Sequence, residues 1–389
     1  MNIMAKEEAL REQAIALRAR GYSVAEISRK LGHSRQWVYT WLKRHAQGVE
    51  SWSTSRSRCP VHKARQITDE LERQVVETRL SLESSPYSES GAYAIWHDMS
   101  KRGITPPSVA TINRIISSHG LARRKIRYTK SGIDYPEVPL NTQMMDLIGP
   151  RHLRGGSRFF LLTVISNDTR HAGVYPIPTK NSLDVTRSVV DFWKSHTIPD
   201  FLQMDNELSF KGSNRHPRGL GLLLRTALSL NVTPRFIPVG EPWRNGVIER
   251  FNQKVEKTLL LQEHASFDEL LAHAREFTRE HNSAHHYSTL GHKTPLQLDG
   301  ELELPIVPLQ PDYVIGERPK LDHSNRNEIH FIRLVRSDLS INVLNTEVKV
   351  VSELMHTYVE AFLLLNEHQL QIKQDGRLVQ TQEFIMPTE

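Results

Sequence analysis

The sequence predicts a multidomain protein with all-α modules at its N-terminus, an α/β core in the middle and a small β-barrel at its C-terminus. Its 389 residues exceed one typical domain, since domains average about 100 to 200 residues. Helical periodicity with short turns dominates up to about residue 120. Strands mixed with helices follow Tyr135, and short strands separated by turn residues follow Pro305.

The composition excludes several classes of protein. The single Cys59 cannot form an intramolecular disulfide, and common structural zinc sites use two to four thiolates. The longest apolar run, residues 159–165, is far shorter than the roughly 18 residues that span a bilayer. Residues 1–10 lack the features of a signal peptide, so we expect an intracellular protein without a membrane partner.

Positive charge is concentrated in the first third of the chain. Residues 1–130 contain 23 Lys and Arg against 12 Asp and Glu, whereas the remainder contains 27 against 32. The densest part is 101–130, where eight basic residues meet no acid. Such a segment beside phosphates would bind nucleic acid independently of sequence. A solvated basic surface or linker is the alternative.

The first 50 residues predict a helix-turn-helix module. A first helix ends at Gly21, and Ser23 and Glu26 have the spacing of a capping box that begins a second helix. Ser34 then caps a third helix after a short turn. A plain amphipathic helical hairpin is the alternative.

The third helix has the side chains expected of a DNA-recognition helix. Val38, Trp41 and Leu42 would face the core. The outward residues are types that pair with base edges and phosphates in the major groove. They are Arg35, Gln36, Tyr39, Lys43 and Arg44.

A second helical module follows a Ser/Arg-rich linker at residues 51–65. Its helices are predicted at 67–82, 92–102 and 109–119, and the third leaves Arg114 exposed. This arrangement resembles a second helix-turn-helix, with a purely structural three-helix domain as the alternative. A basic cluster follows at once, made of Arg123, Arg124, Lys125 and Arg127.

The predicted secondary structure changes from helices to strands mixed with helices after Tyr135. One α/β domain is predicted, with strands at 143–148, 158–166, 173–177, 201–204 and 235–238 and a helix at 182–195. Short strands then indicate the small β-barrel, at 329–335, 340–343, 347–351, 357–364 and 369–372, with a hairpin turn at 375–376.

Three acids stand where a charge is unfavourable unless it has a use. Asp146 interrupts an apolar strand, Asp205 ends a short buried strand, and Glu249 lies in the first turn of a helix. Taken singly, each is an ordinary strand-end or helix-start residue. Together they are the oxygen ligands that a pair of Mg²⁺ ions needs for in-line displacement at phosphorus.

The helix of Glu249 also predicts a phosphate-binding stripe. Its apolar residues turn Glu249 away from the core, and adjacent basic residues repeat at helical spacing. These residues are Arg250, Lys254 and Lys257.

The order of these motifs resembles the DDE signature of the retroviral-integrase-type catalytic core found in bacterial insertion-sequence transposases. The motifs are QMMDLIGP at 143–150, MDNELSF at 204–210 and PWRNGVIERFNQKVEK at 242–257. The resemblance extends over nearly the whole chain and implies an RNase H-like core. It also implies that Asp146, Asp205 and Glu249 are catalytic and hold two Mg²⁺, for which Mn²⁺ can substitute, with Asn206 and Asn245-Gly246 as neighbouring motif positions.

Two departures from the family pattern stand out. Asp205 and Glu249 are 44 positions apart, which is longer than usual, and an inserted loop at 211–221 accounts for the excess. Retroviral integrases also carry a His/Cys zinc module, which this chain lacks. His281 and His285 have zinc-ligand spacing without the glutamate of a metalloprotease, so we assign them to a helix end or loop.

The expected function is transposition. The chain would bind the terminal repeats of a mobile element, nick its ends and join the 3′-hydroxyls to target DNA, as a dimer or tetramer on double-stranded DNA in the bacterial cytoplasm, at the nucleoid. No nucleotide cofactor is expected, because the sequence has no G-x-x-x-x-G-K-[ST] loop. A domesticated DNA-binding regulator and a structure-selective nuclease are the alternatives. The domain bounds predicted are 1–50, 51–65, 66–128, 129–300 and 301–389.

Overall fold

The computed structural model describes residues 3–48, 51–55, 67–122, 134–212, 218–302 and 306–387. The chain divides into two compact units, Met1–Thr68 and Asp69–Glu389. Arg123, Arg124, Lys125 and Arg127, predicted to contact DNA, lie outside the described residues. Across the described ranges, every helix is too short or too polar to pass through a membrane.

The first unit is a three-helix module with α1 (Ile3–Ala19), α2 (Val24–Leu31) and α3 (Arg35–Ala46). The capping box of Ser23 and Glu26 is present, and the Ser34 hydroxyl accepts the N–H of Trp37 at the start of α3. The helices meet at three fully buried side chains, which are Ala14, Ile27 and Val38.

The second unit begins with another three-helix module, formed by α4 (Asp69–Ser84), α5 (Ala92–Lys101) and α6 (Val109–Ser118). Ser108 caps α6 by accepting the N–H of Thr111. The predicted helices therefore form within one or two residues of their expected ends. Ile112, Ile115 and Ile116 are buried, as their helical spacing predicts.

The core of the second unit begins with three antiparallel strands. They are β1 (Thr142–His152), β2 (Arg158–Ser166) and β3 (Ala172–Ile177). Next come α7 (Ser182–Ser195), β4 (Phe201–Met204), α8 (Leu208–Lys211), α9 (Leu222–Ser229) and β5 (Thr233–Phe236). Strand β4 runs parallel to both β1 and β5. The remaining helices are α10 (Gly246–Lys257), α11 (Phe267–Ala284) and α12 (Pro295–Glu301).

Helices cover both faces of this sheet. Met145 packs into the apolar cluster beneath α7 and α9, whereas Met144 packs into the cluster beneath α10 and α11. Successive residues of a strand point to opposite faces. Because Asp146 has the parity of Met144, its strand position directs it toward the side of α10.

The expected long loop between α8 and α9 closes on itself at its base. Gly212 has φ +108°, and a Cβ there would come within 2.9 Å of the Gly221 backbone nitrogen. The Gly221 N–H donates to the carbonyl of Lys211. The two glycines therefore bring the ends of the segment together, and residues 213–217 lie outside the described residues.

The C-terminal strands differ from the prediction. They are β6 (Glu328–Leu334), β7 (Ser340–Val343), β8 (Thr346–Lys349), β9 (Tyr358–Leu364), β10 (Gln369–Gln374) and β11 (Arg377–Glu383). Four of them extend the central sheet, whose order is β11-β10-β9-β6-β5-β4-β1-β2-β3, and β7 and β8 form a separate hairpin.

The small β-barrel is therefore not confirmed, because β6 pairs in parallel with β5 through Arg235 and Phe236. The apolar alternation of these strands predicts that they form a sheet. It does not determine which free edge their first strand joins.

Candidate active site

Two polar side chains face each other on an otherwise apolar sheet surface. Asp146 in β1 lies directly across from Thr163 in β2, and their neighbours on this face include Met144 and Leu161, which are fully buried. An aspartate in such surroundings loses hydration. The Asp146 carboxylate is therefore a group that the fold tolerates at a cost.

The other two predicted acids reach the same place. Asp205 follows β4, which pairs with β1, and Glu249 lies in the first turn of α10, which packs on β1. Burial raises the pKa of Asp146 to about 6, and the negative charges of Asp205 and Glu249 add to the increase. Burial also raises the pKa values of Asp205 and Glu249. The charges of Asp205 and Glu249 thus act on the Asp146 carboxyl group.

An open cleft lies between the end of β1 and the exposed side of α10. It is lined by backbone and side chains of both elements, which are Asp146, Leu147, Ile148, Gly149, Pro150, Arg151, Glu249, Asn252, Gln253 and Glu256. Glu249, Gln253 and Glu256 of α10 therefore line the same cleft as Asp146.

The donor set fits divalent metal ions. The groups that stabilise ionised Asp146 are the N–H of Leu147 and the amide of Asn252, while the nearby charges of Asp205 and Glu249 repel it. Two negative charges that raise the pKa of a third carboxyl group favour a cation beside it. Hard cations such as Mg²⁺ prefer oxygen ligands of this kind.

Asn252 is a site residue that the sequence did not reveal. Its Nδ2 donates to Asp146 Oδ2 at 2.7 Å, and its Oδ1 accepts from the Thr163 hydroxyl at 2.8 Å. Asn252 lies one helical turn after Glu249, on the same side of α10. This spacing is the sequence feature that could have indicated its role. This bridge fixes the orientation of the Asp146 carboxylate.

Asp205 is supported from the C-terminal strands. The neighbouring Asn206 donates to the carbonyl of Ile237 at 2.8 Å and accepts from Arg333 at 2.9 Å. Arg333 is buried in β6 and also donates to the carbonyls of Ile237, Ile332 and Asn342. The sequence did not indicate this contact, because 127 positions separate Arg333 from Asn206.

The motif position Asn245 also has a structural partner. It is buried just before α10 and accepts a hydrogen bond from Gln203 of β4 at 3.0 Å. This contact joins the strand that precedes Asp205 to the helix that carries Glu249. It helps to set the distance between the two acids.

The basic stripe beside Glu249 is only partly present. Arg250 and Lys257 are exposed. Lys254 is half-buried, with its ammonium 3.4 Å from His281 Nδ1, and burial lowers its pKa to about 8. The predicted stripe therefore has two exposed cations and one half-buried cation, because α11 covers the part of α10 that carries Lys254.

Other predicted residues lie far along the chain from the cleft. In the first unit, Arg35, Gln36, Tyr39 and Lys43 are exposed on α3, whereas the Arg44 guanidinium stacks 4.5 Å from the Trp41 ring. Arg114 is exposed on α6.

The two histidines set aside in the sequence lie at the end of α11. His281 is buried there, and its Nε2 is 3.2 Å from the Arg170 carbonyl. His285 forms the C-cap of α11.

Two parts of the chain match known protein families. Residues 230–295 match the family described as integrase core domain, and residues 5–53 match the family described as homeodomain-like domain. These matches confirm the resemblance seen in the sequence for the segments that they cover. The first match includes Glu249 but neither Asp146 nor Asp205. A search of curated proteins gave no match.

Solved structures of retroviral integrase catalytic cores are among those similar to this chain. The HTLV-2 integrase catalytic core domain in complex with magnesium, in a trimeric form, is 12% identical with a TM-score of 0.33, over 42% of this chain and 97% of that one. Its dimeric form is 14% identical with a TM-score of 0.32, over the same shares. The BIV integrase catalytic core domain is 16% identical with a TM-score of 0.32, over 42% and 95%.

Proposed function

We propose that the chain is a transposase that binds the terminal repeats of a mobile DNA element, nicks its ends and joins the 3′-hydroxyls to target DNA. The observation that carries this proposal is that Asp146 and Glu249 line one open cleft, and that the charges of Asp205 and Glu249 both act on Asp146. An integrase core domain and a homeodomain-like domain in the same chain support it.

In this proposal Asp146, Asp205 and Glu249 hold two Mg²⁺ ions, with Mn²⁺ as a substitute. When bound, such ions activate an attacking oxygen and stabilise the leaving oxygen of a phosphodiester. Asn252 keeps the Asp146 carboxylate oriented, and exposed Arg250 and Lys257 attract the phosphates of DNA beside the cleft.

The helical modules would supply the choice of DNA. Arg35 and Gln36 begin the exposed face of α3, where side chains reach base edges in the major groove. Arg114 on α6 would extend the contact. Because two element ends must be held together, a dimer or tetramer on DNA belongs to the proposal.

The test begins with a duplex that the protein itself selects from a random-sequence pool. That duplex, labelled at one end, is incubated with a supercoiled plasmid and Mg²⁺. The proposal predicts labelled plasmid, formed by joining of a 3′-hydroxyl. Arg35→Ala should weaken binding to the selected duplex by about 1 to 3 kcal/mol and to random DNA little, whereas Arg20→Ala, an exposed control, should change neither.

The other outcomes identify the alternatives. Nicked plasmid without joined product would favour a structure-selective nuclease with the same core. Selective binding without any Mg²⁺-dependent cleavage would favour a DNA-binding regulator, and either result would overturn the transposase proposal.

A further inference from the structure

A second group of possible metal ligands lies outside the cleft. His171 stands just before β3, His196 caps the end of α7, and Asp299 lies in α12. One ligand atom from each lies within 4.8 Å of the other two. Within the described ranges, this is the one group of three or more such side chains that meets this distance.

The three side chains converge closely. His171 Nδ1 is 2.5 Å from Asp299 Oδ2, and His196 Nε2 is 3.2 Å from Asp299 Oδ1. The two imidazole rings stack with centroids 4.0 Å apart. Each carboxylate oxygen of Asp299 therefore faces one ring nitrogen, and the two rings are stacked face to face.

The group is nearly closed to solvent. The side chain of His196 is 6% exposed and that of Asp299 is 8% exposed, while His171 keeps 15% exposure. His196 Nδ1 is buried without a hydrogen-bond partner among the described residues. A buried ring nitrogen without a partner carries a cost, but the ring atom of His196 that faces the other two side chains is Nε2.

The geometry points to a Zn²⁺ site formed by His171, His196 and Asp299, with water as the fourth ligand. Two imidazole nitrogens and one carboxylate oxygen suit Zn²⁺, which is commonly four-coordinate with such ligands. Mg²⁺ prefers an all-oxygen set, so this site is chemically distinct from the acidic cleft and shares no residue with it.

The position of the site indicates what the ion would do. Strand β3 is the last strand in the order of the nine-stranded sheet, and α7 and α12 are separate helices of the same unit. A metal held by residues from all three regions would join them. Because binding to the folded state alone adds to stability, the ion would stabilise this end of the sheet.

The experiment uses untagged full-length protein that carries Asp205→Asn and Glu249→Gln, so that the acids proposed to hold Mg²⁺ do not bind zinc. The protein is dialysed with ZnCl₂, washed with a weak chelator and analysed for bound metal. We expect about one Zn²⁺ per chain, falling below about 0.2 when Asp299→Asn or His196→Gln is added. His119→Gln, a change of an exposed histidine, should keep the metal.

A second measurement does not depend on the folding of those variants. Zinc in about a hundredfold excess over its Kd should raise the Tm of the parent protein by several degrees, whereas millimolar Mg²⁺ should not. Failure of the parent to retain zinc or to gain stability would overturn the proposal and leave a metal-free His-Asp-His hydrogen-bond network. Zinc retained equally after Asp299→Asn would also overturn it. These zinc measurements do not test transposition, because the parent protein already lacks the carboxylates of Asp205 and Glu249.

Discussion

Asp146 and Asp299 are both half-buried aspartates of the second unit, but their surroundings shift their pKa values in opposite directions. Burial raises the pKa of Asp146 to about 6, and the charges of Asp205 and Glu249 act in the same direction. Burial also opposes ionisation of Asp299, yet hydrogen bonds from His171 and His196 outweigh it and hold that pKa below its usual range. Partners, more than burial, decide whether a carboxylate is stable in its charged form.

The difference separates two uses of the same side chain. Asp146 is held in place by Asn252 while its charge is opposed by other acids, and in the proposed function a cation balances that charge. Asp299 already has two ring partners and ties separate elements together. We therefore expect substitutions at the two positions to act on different properties.

The largest expected effect concerns DNA chemistry. Asp205→Asn or Glu249→Gln should reduce nicking and joining by at least about 100-fold, because a neutral amide holds Mg²⁺ poorly. Binding to the selected duplex should stay within about threefold, since the amide keeps the shape of the acid. Cleavage of labelled duplex and its retention in a binding gel measure the two properties.

The matched control for this comparison is Asp299→Asn, assayed below its Tm. It should keep nicking and joining within about threefold, since Asp299 belongs to the other environment. Strong cleavage by Asp205→Asn would refute the assignment of the cleft as the active site.

A smaller effect is expected from Asn252→Ala. Loss of the bridge from Thr163 to Asp146 should raise the Mg²⁺ concentration needed for half-maximal nicking by about 10- to 100-fold. Gln253→Ala is the control, because Gln253 also lines the cleft. Equal Mg²⁺ curves for the two variants would show that Asn252 does not position the carboxylate.

Substitution of the two aspartates by asparagine should change the free energy of unfolding in opposite directions. In EDTA at pH 7.5, Asp146→Asn should raise the free energy of unfolding by about 1 to 2 kcal/mol, because the buried charge is removed. Asp299→Asn should lower it by about 1 to 3 kcal/mol, because ionic hydrogen bonds are lost. Urea unfolding of both variants measures the difference, and changes of the same sign would contradict the contrast in partners.

The smallest effect is a dependence of stability on pH. The pKa of Asp146 is about 6 in the folded protein against an ordinary value of 3.8, so the folded state binds more protons between these values. Its contribution to stability should therefore fall as pH rises through this range, by less than about 1 kcal/mol per pH unit and by about 1 to 2 kcal/mol in all, and level off above it. Urea unfolding of wild type and Asp146→Asn in EDTA gives the difference curve, and a flat curve from pH 4 to 6 would contradict the shift.

Local patterns predicted the helices and strands of the central sheet well. Ser23, Ser34 and Ser108 begin helices where their spacing placed caps, because a cap depends on neighbours in sequence. The three acids were visible because Asp146 interrupts an apolar strand, Asp205 ends a strand and Glu249 begins a helix, in the order of a known motif. Their assignment as metal ligands remains a prediction, although the structure brings their charges together.

Features that depend on distant contacts were not predictable. The burial of Lys254 depends on α11, and the pairing of β6 with β5 depends on a free sheet edge. His171 and Asp299 are separated by 128 positions, and no local pattern relates them. The basic cluster at 123–127 remains a prediction, because it lies outside the described residues.

The junction of β5 and β6 has a consequence for how such a chain can be recombined. Arg333 reaches from the C-terminal strands to Asn206, the residue beside Asp205. The C-terminal strands cannot therefore be exchanged freely, because a transplanted tail must supply an arginine at this position or leave the side-chain oxygen of Asn206 without its donor. Chimeras should keep 134–383 from a single parent. The same contact predicts that Arg333 and the segment around Asp205 are inherited together.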